Sequence, residues 1–228
     1  MRGDSEIADA VRQAASARES VRIAGRGTWL DGGHIVRAVR TVSLADDTGV
    51  VEYTPGDLTI TVRAGTTLRE IDDVLLERDQ WLPLDPMGGR DVSIGATVAT
   101  CSYGPLAELF GTPRDQVLGL TVVAGTGDVL YLGGRVVKNV AGFDLTRLMI
   151  GSWGTLGIIT QMTLRVRGQQ KTLHASEHMR RAMPSAYGYR EPIVTHPALS
   201  GAIKRVFDPY HVLNPGIMRE EGDPGYDR

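Results

Sequence analysis

Glycine-rich stretches recur along the whole chain, and they constrain its fold more than any other feature. They read Ala24-Gly25-Arg26-Gly27-Thr28-Trp29, Ile94-Gly95-Ala96-Thr97-Val98-Ala99, Gly151-Ser152-Trp153-Gly154-Thr155-Leu156-Gly157-Ile158-Ile159 and Asn214-Pro215-Gly216. Glycine has no Cβ, so such loops let main chain approach another surface closely. Glycine accounts for 28 of 228 residues, against an average usage of about 7%, and the excess has no period. One loop of this kind is more simply a tight surface turn. Several of them, each beside a β-rich run, describe a chain that lays bare backbone against a large phosphate-bearing ligand.

The length fits one large domain or two small ones. A net charge of −2 gives no electrostatic case for nucleic acid or an anionic membrane. Cys101 stands alone, which rules out an internal disulfide and a cysteine-held metal cluster. The histidines show no zinc-like spacing, so no metal site is expected. No apolar run approaches the roughly 18 residues of a membrane span, and the first residues carry no apolar signal core. The expected location is the cytoplasm.

Helical spacing of Ile7, Ala10, Val11, Ala14 and Ala15 predicts a helix from Ser5 to Arg18. Val21 to Ala24 reads as a short strand entering the first glycine loop. Val50 to Tyr53 and Leu58 to Arg63 read as strands around the turn Pro55-Gly56-Asp57. Thr67 and Glu70 form a capping box for a helix to about Asp79, with Leu68, Ile71 and Leu75 on one face. Trp81 to Pro86 is extended, because each proline disfavours α for its predecessor. Gly119 to Gly133 predicts a hairpin, Asp144 caps a short helix carrying Leu145, Leu148 and Met149, and Leu156 to Val166 is a long β run. A last helix starts at His196 with Pro197 in its first turn, presents Leu199, Ile203 and Val206 on one face, and stops at Asp208-Pro209. Strands with a few helices between them indicate an α+β fold. The expected organisation is a body over 1–167, a linker over 168–195, a C-terminal helix and segment over 196–218, and a tail over 219–228.

The Gly25-Arg26-Gly27 loop is not a dinucleotide fingerprint of the strand-to-helix kind. Position 30 is Leu, and Asp31-Gly32-Gly33 forbids the helix that such a motif opens. No Walker-type phosphate loop occurs. Consecutive backbone N–H groups can still form a nest for a pyrophosphate, and the Thr28 hydroxyl adds a donor.

These segments, taken in order, resemble the FAD-binding domain of the PCMH-type flavoproteins (the vanillyl-alcohol-oxidase superfamily), and within it the FAD-binding subunits of glycolate oxidases. The resemblance rests on Ala24 to Trp29, Tyr53 to Val62 with Ala64-Gly65, Leu82 to Pro86, Ser93 to Ala99, Gly104-Pro105, Gly111 to Gly119, Val137 to Leu145, Gly151 to Ile159 and Phe207 to Gly216. It covers about 20–167 and 199–218. It implies two α+β subdomains with FAD held between them. By position, Gly25, Arg26, Gly27, Thr28 and Trp29 are expected to cradle the pyrophosphate. Ile94, Gly95, Thr97 and Val98 would form a second cofactor loop. Gly104, Arg114 and Asp115 would lie near the flavin or its ribityl chain, Gly157 and Ile158 would offer backbone contacts, and Asn214 would return to the flavin. Lys138 and Asn139 are either cofactor contacts or the holders of a bend.

The resemblance also implies a substrate-binding cap domain where this chain has only the irregular stretch from Gly168 to Pro197. A flavin site complete without its substrate site would need a partner to cover the open face. Covalent attachment of FAD would have to use His34 or Cys101, and non-covalent binding is expected. The implied function is that of an FAD-binding subunit in a 2-hydroxy acid dehydrogenase complex. Electrons would pass from substrate through flavin to partners, a second flavin subunit and an iron–sulfur subunit, the assembly lying peripheral to the inner membrane. The alternatives are a non-catalytic FAD-binding scaffold and another enzyme of the superfamily, such as an enolpyruvyl reductase or a small sugar oxidase. No residue is assigned as the catalytic base.

Overall fold

The computed structural model describes residues 3–34, 36, 38–134, 144–169 and 187–220. Lys138 and Asn139, most of the stretch expected to be a linker, and 221–228 lie outside the described residues.

Helix α1 (Asp4–Ala17) buries Ile7, Ala8, Val11 and Ala14, and Arg18 closes it in the left-handed region. Strand β1 (Val21–Ala24) pairs in parallel with β2 (Arg40–Ser43). On its other side β1 meets the C-terminal segment: Val21 bridges Leu213, and the Val21 N–H donates to the Val212 carbonyl at 2.7 Å.

The larger sheet has five strands in the order β3-β4-β8-β6-β7, all antiparallel: β3 (Val50–Thr54), β4 (Thr59–Arg63), β8 (Ile158–Arg165), β6 (Val117–Val123) and β7 (Val129–Gly133). The expected hairpin is present, with Gly119 opposite Gly133 and Val123 opposite Val129. Strand β4 is buried at every position, so Ile60 and Val62 face one side of the core while Thr59, Thr61 and Arg63 occupy the other. Two of those polar residues have partners within the sheet or beside it. Thr61 and Thr163 share a hydroxyl hydrogen bond of 2.9 Å. The Arg63 guanidinium meets Asp47 at 2.7 Å and Asp4 at 2.9 Å, which ties the start of α1 and the loop after β2 to the sheet.

Helix α2 (Leu68–Leu76) begins with the expected box: the Glu70 N–H donates to Thr67 Oγ1 at 3.1 Å, and the Thr67 N–H donates to Glu70 Oε2 at 2.6 Å. It ends at Leu76, short of Asp79, which adopts a left-handed conformation and turns the chain into β5 (Gln80–Trp81). Strand β5 pairs with β9 (Arg167–Gly168). Short helices α3 (Ile94–Thr100), α4 (Ala107–Phe110), α5 (Pro113–Gln116) and α6 (Leu145–Met149) complete the body. Asp144 Oδ1 accepts from the Arg147 N–H at 3.1 Å and caps α6 as expected. Helix α3 packs on β8, and α1 packs on both sheets, so one hydrophobic core runs from Ile7 through Ile60 and Ile158 to Leu213. The chain is α+β.

Helix α7 (Pro197–Phe207) has the expected ends but a different inner face. Leu199 and Val206 are 61% and 72% exposed, whereas Ile203 and Phe207 pack on the core. The reason is Lys204. Its ammonium donates to the Thr155 carbonyl at 2.6 Å, to Asp208 Oδ2 at 2.6 Å and to the Leu213 carbonyl at 3.0 Å. At about 100° per residue, an inward Lys204 turns Leu199 and Val206 to solvent. A second departure lies at Arg219–Glu220, expected to open the tail: it forms β11, parallel to β10 (Ile193–Val194). No helix of the described residues is long and apolar enough to cross a membrane.

Candidate functional site

The first glycine loop, the N-terminal turn of α3, the 153–158 loop and Asn214 meet in one cleft with about 790 Å³ of empty space, part of it open to solvent. Local chemistry explains the convergence. Strand β1 ends at Ala24 between β2 and the C-terminal segment, so the loop after it emerges at the sheet's end. The Gly95 N–H donates to the Ala64 carbonyl at 2.8 Å, which seats α3 on the end of β4. A Cβ at Gly95 would lie 2.8 Å from that carbonyl oxygen, so only glycine allows the approach.

Asn214 holds the opposite wall. Its Oδ1 accepts the Ile23 N–H at 2.8 Å, and its Nδ2 donates to the Trp153 carbonyl at 2.8 Å. Gly154, with φ +69°, lies directly over it: a Cβ there would sit 2.9 Å from both Asn214 Nδ2 and Ile23 Cδ1. At one end of the cleft Trp29, Trp153 and Tyr189 meet edge to face, with centroids 5.1–5.8 Å apart. Trp153 Nε1 donates to the Arg190 carbonyl at 2.7 Å, which fixes that ring.

Of the residues expected at a cofactor, Gly25, Gly27, Thr28, Trp29, Gly95, Gly157, Ile158 and Asn214 line this cleft. The others are placed elsewhere. Arg26 reaches the Gly65 carbonyl at 3.3 Å. Ile94 and Val98 are fully buried in the core, and the Thr97 hydroxyl donates to the Ser93 carbonyl at 3.1 Å. These three back the wall rather than face the opening. Gly104 packs on Asp85. Asp115 accepts from the Thr112 N–H at 2.9 Å, and Arg114 stands near Cys101 and Arg190.

Sequence reasoning left Arg22, Ser93, Ala96, Trp153 and Gly154 off its list of contacts, and all line the cleft. Ser93 is the informative one. It stands at the N-cap of α3, where a serine oxygen ordinarily accepts a helix N–H, but it makes no such bond. Its Oγ is buried without a hydrogen-bond partner, and a Cβ on Gly25 would lie 2.6 Å from it. Buried hydroxyls are normally satisfied; this one sits directly against the Gly25 backbone in the cleft lining. A hydroxyl lacking a partner, glycines where a side chain would fill the space and apolar walls from Ile23, Leu44 and Ile158 fit a dinucleotide laid along the backbone. Among the described residues lining the cleft, Arg22 is the one charged side chain, its guanidinium donating to the Leu30 carbonyl. Cys101 is buried and does not line the cleft. Burial pushes its thiol pKa up, with nearby Arg114 opposing. His34 is not a lining residue either.

The fold and this cleft define a flavin-cofactor domain, and the chain belongs to the FAD binding domain family, which matches residues 2–133. Among characterised proteins it is similar to glycolate oxidase subunit GlcE of Escherichia coli, 38% identical over 161 residues, 70% of this chain and 46% of that one. It is similar also to a probable mitochondrial D-lactate dehydrogenase of Danio rerio, 39% identical over 155 residues, 65% of this chain and 30% of that one. A D-2-hydroxyglutarate dehydrogenase of Xanthomonas citri is 36% identical over 162 residues, 71% and 34% of the two chains. The chain thus spans less than half the length of these relatives. Among solved structures, alkyldihydroxyacetonephosphate synthase superposes with a TM-score of 0.62 at 24% identity, over 73% of this chain and 30% of that one; that likeness is one of fold.

Proposed function

We propose that the chain binds FAD non-covalently in this cleft and serves as the FAD-binding subunit of a glycolate oxidase-like 2-hydroxy acid dehydrogenase complex. The observation that carries the reading is the partnerless Ser93 hydroxyl facing the Gly25 loop. When bound, FAD supplies a hydride acceptor for the carbon bearing the substrate hydroxyl. The chain's own residues bind and orient. The Gly25–Thr28 backbone and the Thr28 and Ser93 hydroxyls would donate to phosphate oxygens, Gly157 and Ile158 would offer backbone, and Asn214 keeps the two walls at a fixed spacing. Non-covalent attachment is supported by Cys101 and His34 lying off the cleft lining.

The cleft lining holds no His, Asp, Glu or Cys among the described residues, so it offers no base for the hydroxyl proton. That supports a hetero-oligomer in which a second flavin subunit completes the substrate site. In that complex an iron–sulfur subunit would take the electrons, and the assembly would rest on the cytoplasmic side of the inner membrane through its partners. The same observation favours a second reading, a non-catalytic flavin-carrying subunit. The visible spectrum of the purified chain with FAD, before and after anaerobic glycolate, separates them. Bleaching places oxidation on this polypeptide. A stable yellow protein makes it a carrier that needs its partner. Failure to take up FAD would refute the flavin reading.

A further inference from the structure

A second hollow lies behind the cleft, with about 1050 Å³ of empty space, part of it open to solvent. Asn214 lines both, and the 152–155 loop is their common wall: Trp153 and Gly154 face the cleft, while Ser152 and Thr155 face the hollow. Its other walls come from α7, from 190–195 and from 214–218. The lining is mostly apolar, with Leu148, Leu156, Ile193, Ile203, Pro215 and Met218.

Of the polar side chains in that lining, Ser152 and Arg190 stand apart. Ser152 is 5% exposed, and its Oγ is buried without a hydrogen-bond partner. Arg190 stands at the rim with its stem along Gly151, where a Cβ would lie 2.7 Å from Arg190 Cδ. Lys204, the other cation of the lining, is spent on Asp208 and the Thr155 and Leu213 carbonyls. Among the described residues no carboxylate lines the hollow, and none pairs with Arg190. Partial burial, and after it the nearby Arg114, lower the Arg190 pKa.

We infer that this hollow is a binding site, distinct from the FAD cleft, for a monocarboxylate with an apolar body. The carboxylate would lie between the Arg190 guanidinium and the Ser152 hydroxyl, and its hydrocarbon part against Leu156, Ile203 and Met218. A guanidinium is the side chain best suited to a carboxylate. An apolar pocket with a few placed polar groups is the ordinary form of a small-molecule site.

Three probes sharing one hydrocarbon body, hexanoate, 1-hexanol and hexylammonium, test the assignment by titration calorimetry on the whole chain. Hexanoate is expected to bind saturably and at least tenfold more tightly than either of the others. Arg190→Met is expected to weaken hexanoate at least tenfold while leaving hexanol unchanged, and Ser152→Ala to weaken hexanoate a few-fold, with thermal melts showing that both variants fold. Adding FAD should leave the hexanoate constant within twofold. Equal binding of the three probes, no saturable hexanoate binding, an unchanged constant in Arg190→Met, or competition by FAD would each overturn the assignment. Saturable hexanoate binding by a chain that fails to take up FAD would refute the flavin reading and leave this site standing.

Discussion

Asn214 and Ile23, 191 positions apart in the chain, are joined by a hydrogen bond of 2.8 Å from the Ile23 N–H to the Asn214 side-chain oxygen. The other end of the same carboxamide donates to the Trp153 carbonyl. One side chain, 4% exposed, therefore sets the distance between β1 and the 153–158 loop, the two walls of the cleft proposed for FAD. Asn214 also sits at φ +40°, a conformation asparagine tolerates better than most residues.

Asn214→Ala should leave the Ile23 N–H and the Trp153 carbonyl without partners. An unsatisfied buried group costs about 1–3 kcal/mol, so a loss of roughly 2–4 kcal/mol is expected, with FAD uptake weakened as well. Urea unfolding measures it. A midpoint equal to wild type with an unchanged slope would show that the clamp carries no stability.

Gly25→Ala and Gly95→Ala should fail in different ways. At Gly25 the new methyl meets the end of a small side chain, Ser93 Oγ, which can rotate away. Stability should change little, while FAD affinity falls at least tenfold because the hydroxyl is turned out of place in the cleft lining. At Gly95 the methyl meets the Ala64 backbone, which cannot move without shifting β4, so the loss appears first as stability, about 1–3 kcal/mol as for overpacking. Flavin fluorescence titration beside urea unfolding distinguishes them; the same profile for both variants would contradict the geometry.

Lys204 gives a pH signature. Burial chiefly lowers its pKa below 10.5, with Asp208 opposing. The folded value lies below the unfolded one, so the native state binds fewer protons in the interval between them. Stability attributable to Lys204 therefore rises with pH across that interval and is flat above 10.5 and below the folded value. The difference in unfolding free energy between wild type and Lys204→Met, followed from neutral to alkaline pH, should slope upward. A downward slope would mean that the ammonium is favoured rather than penalised by its site.

The inner face of α7 can be checked with paired substitutions. Leu199→Ser and Val206→Thr, both at exposed positions, should lie within about 0.5 kcal/mol of wild type. Leu75→Ala on α2, fully buried, should cost about 2–5 kcal/mol. A large loss at Leu199 would place that residue in the core after all.

Non-covalent attachment predicts that denaturation frees all the flavin. FAD-loaded protein precipitated with acid should leave a colourless pellet and a yellow supernatant, and Cys101, buried with a raised thiol pKa, should react slowly with alkylating reagents in the native state. A fluorescent band on a denaturing gel would contradict it.

What was legible in the sequence was local. The Thr67–Glu70 box, the Asp144 cap, the Gly119–Gly133 hairpin and the Pro197 start of the last helix each depend on side chains a few positions apart, and neighbours in the chain are enough to decide them. The glycine loops were legible as places where backbone must come close to something, since a missing Cβ is written in the residue itself. By contrast, helical spacing gives an apolar stripe but not its direction: α7 turned Leu199 and Val206 outward because the Lys204 ammonium found the distant Thr155 carbonyl as well as Asp208 and the Leu213 carbonyl just beyond the helix. The sequence placed Ser93 beside a glycine motif but could not show its hydroxyl without a partner, a fact that exists only once β1 and α3 face each other. Nor could it show that Asn214 bonds Ile23, or that Ser152 and Arg190 share a hollow. Capping and turn formation are settled within one or two turns of chain. Partnerships between residues far apart in the chain, such as Asn214 and Ile23, are settled by which surfaces the sheets bring together, and the cleft is made of those.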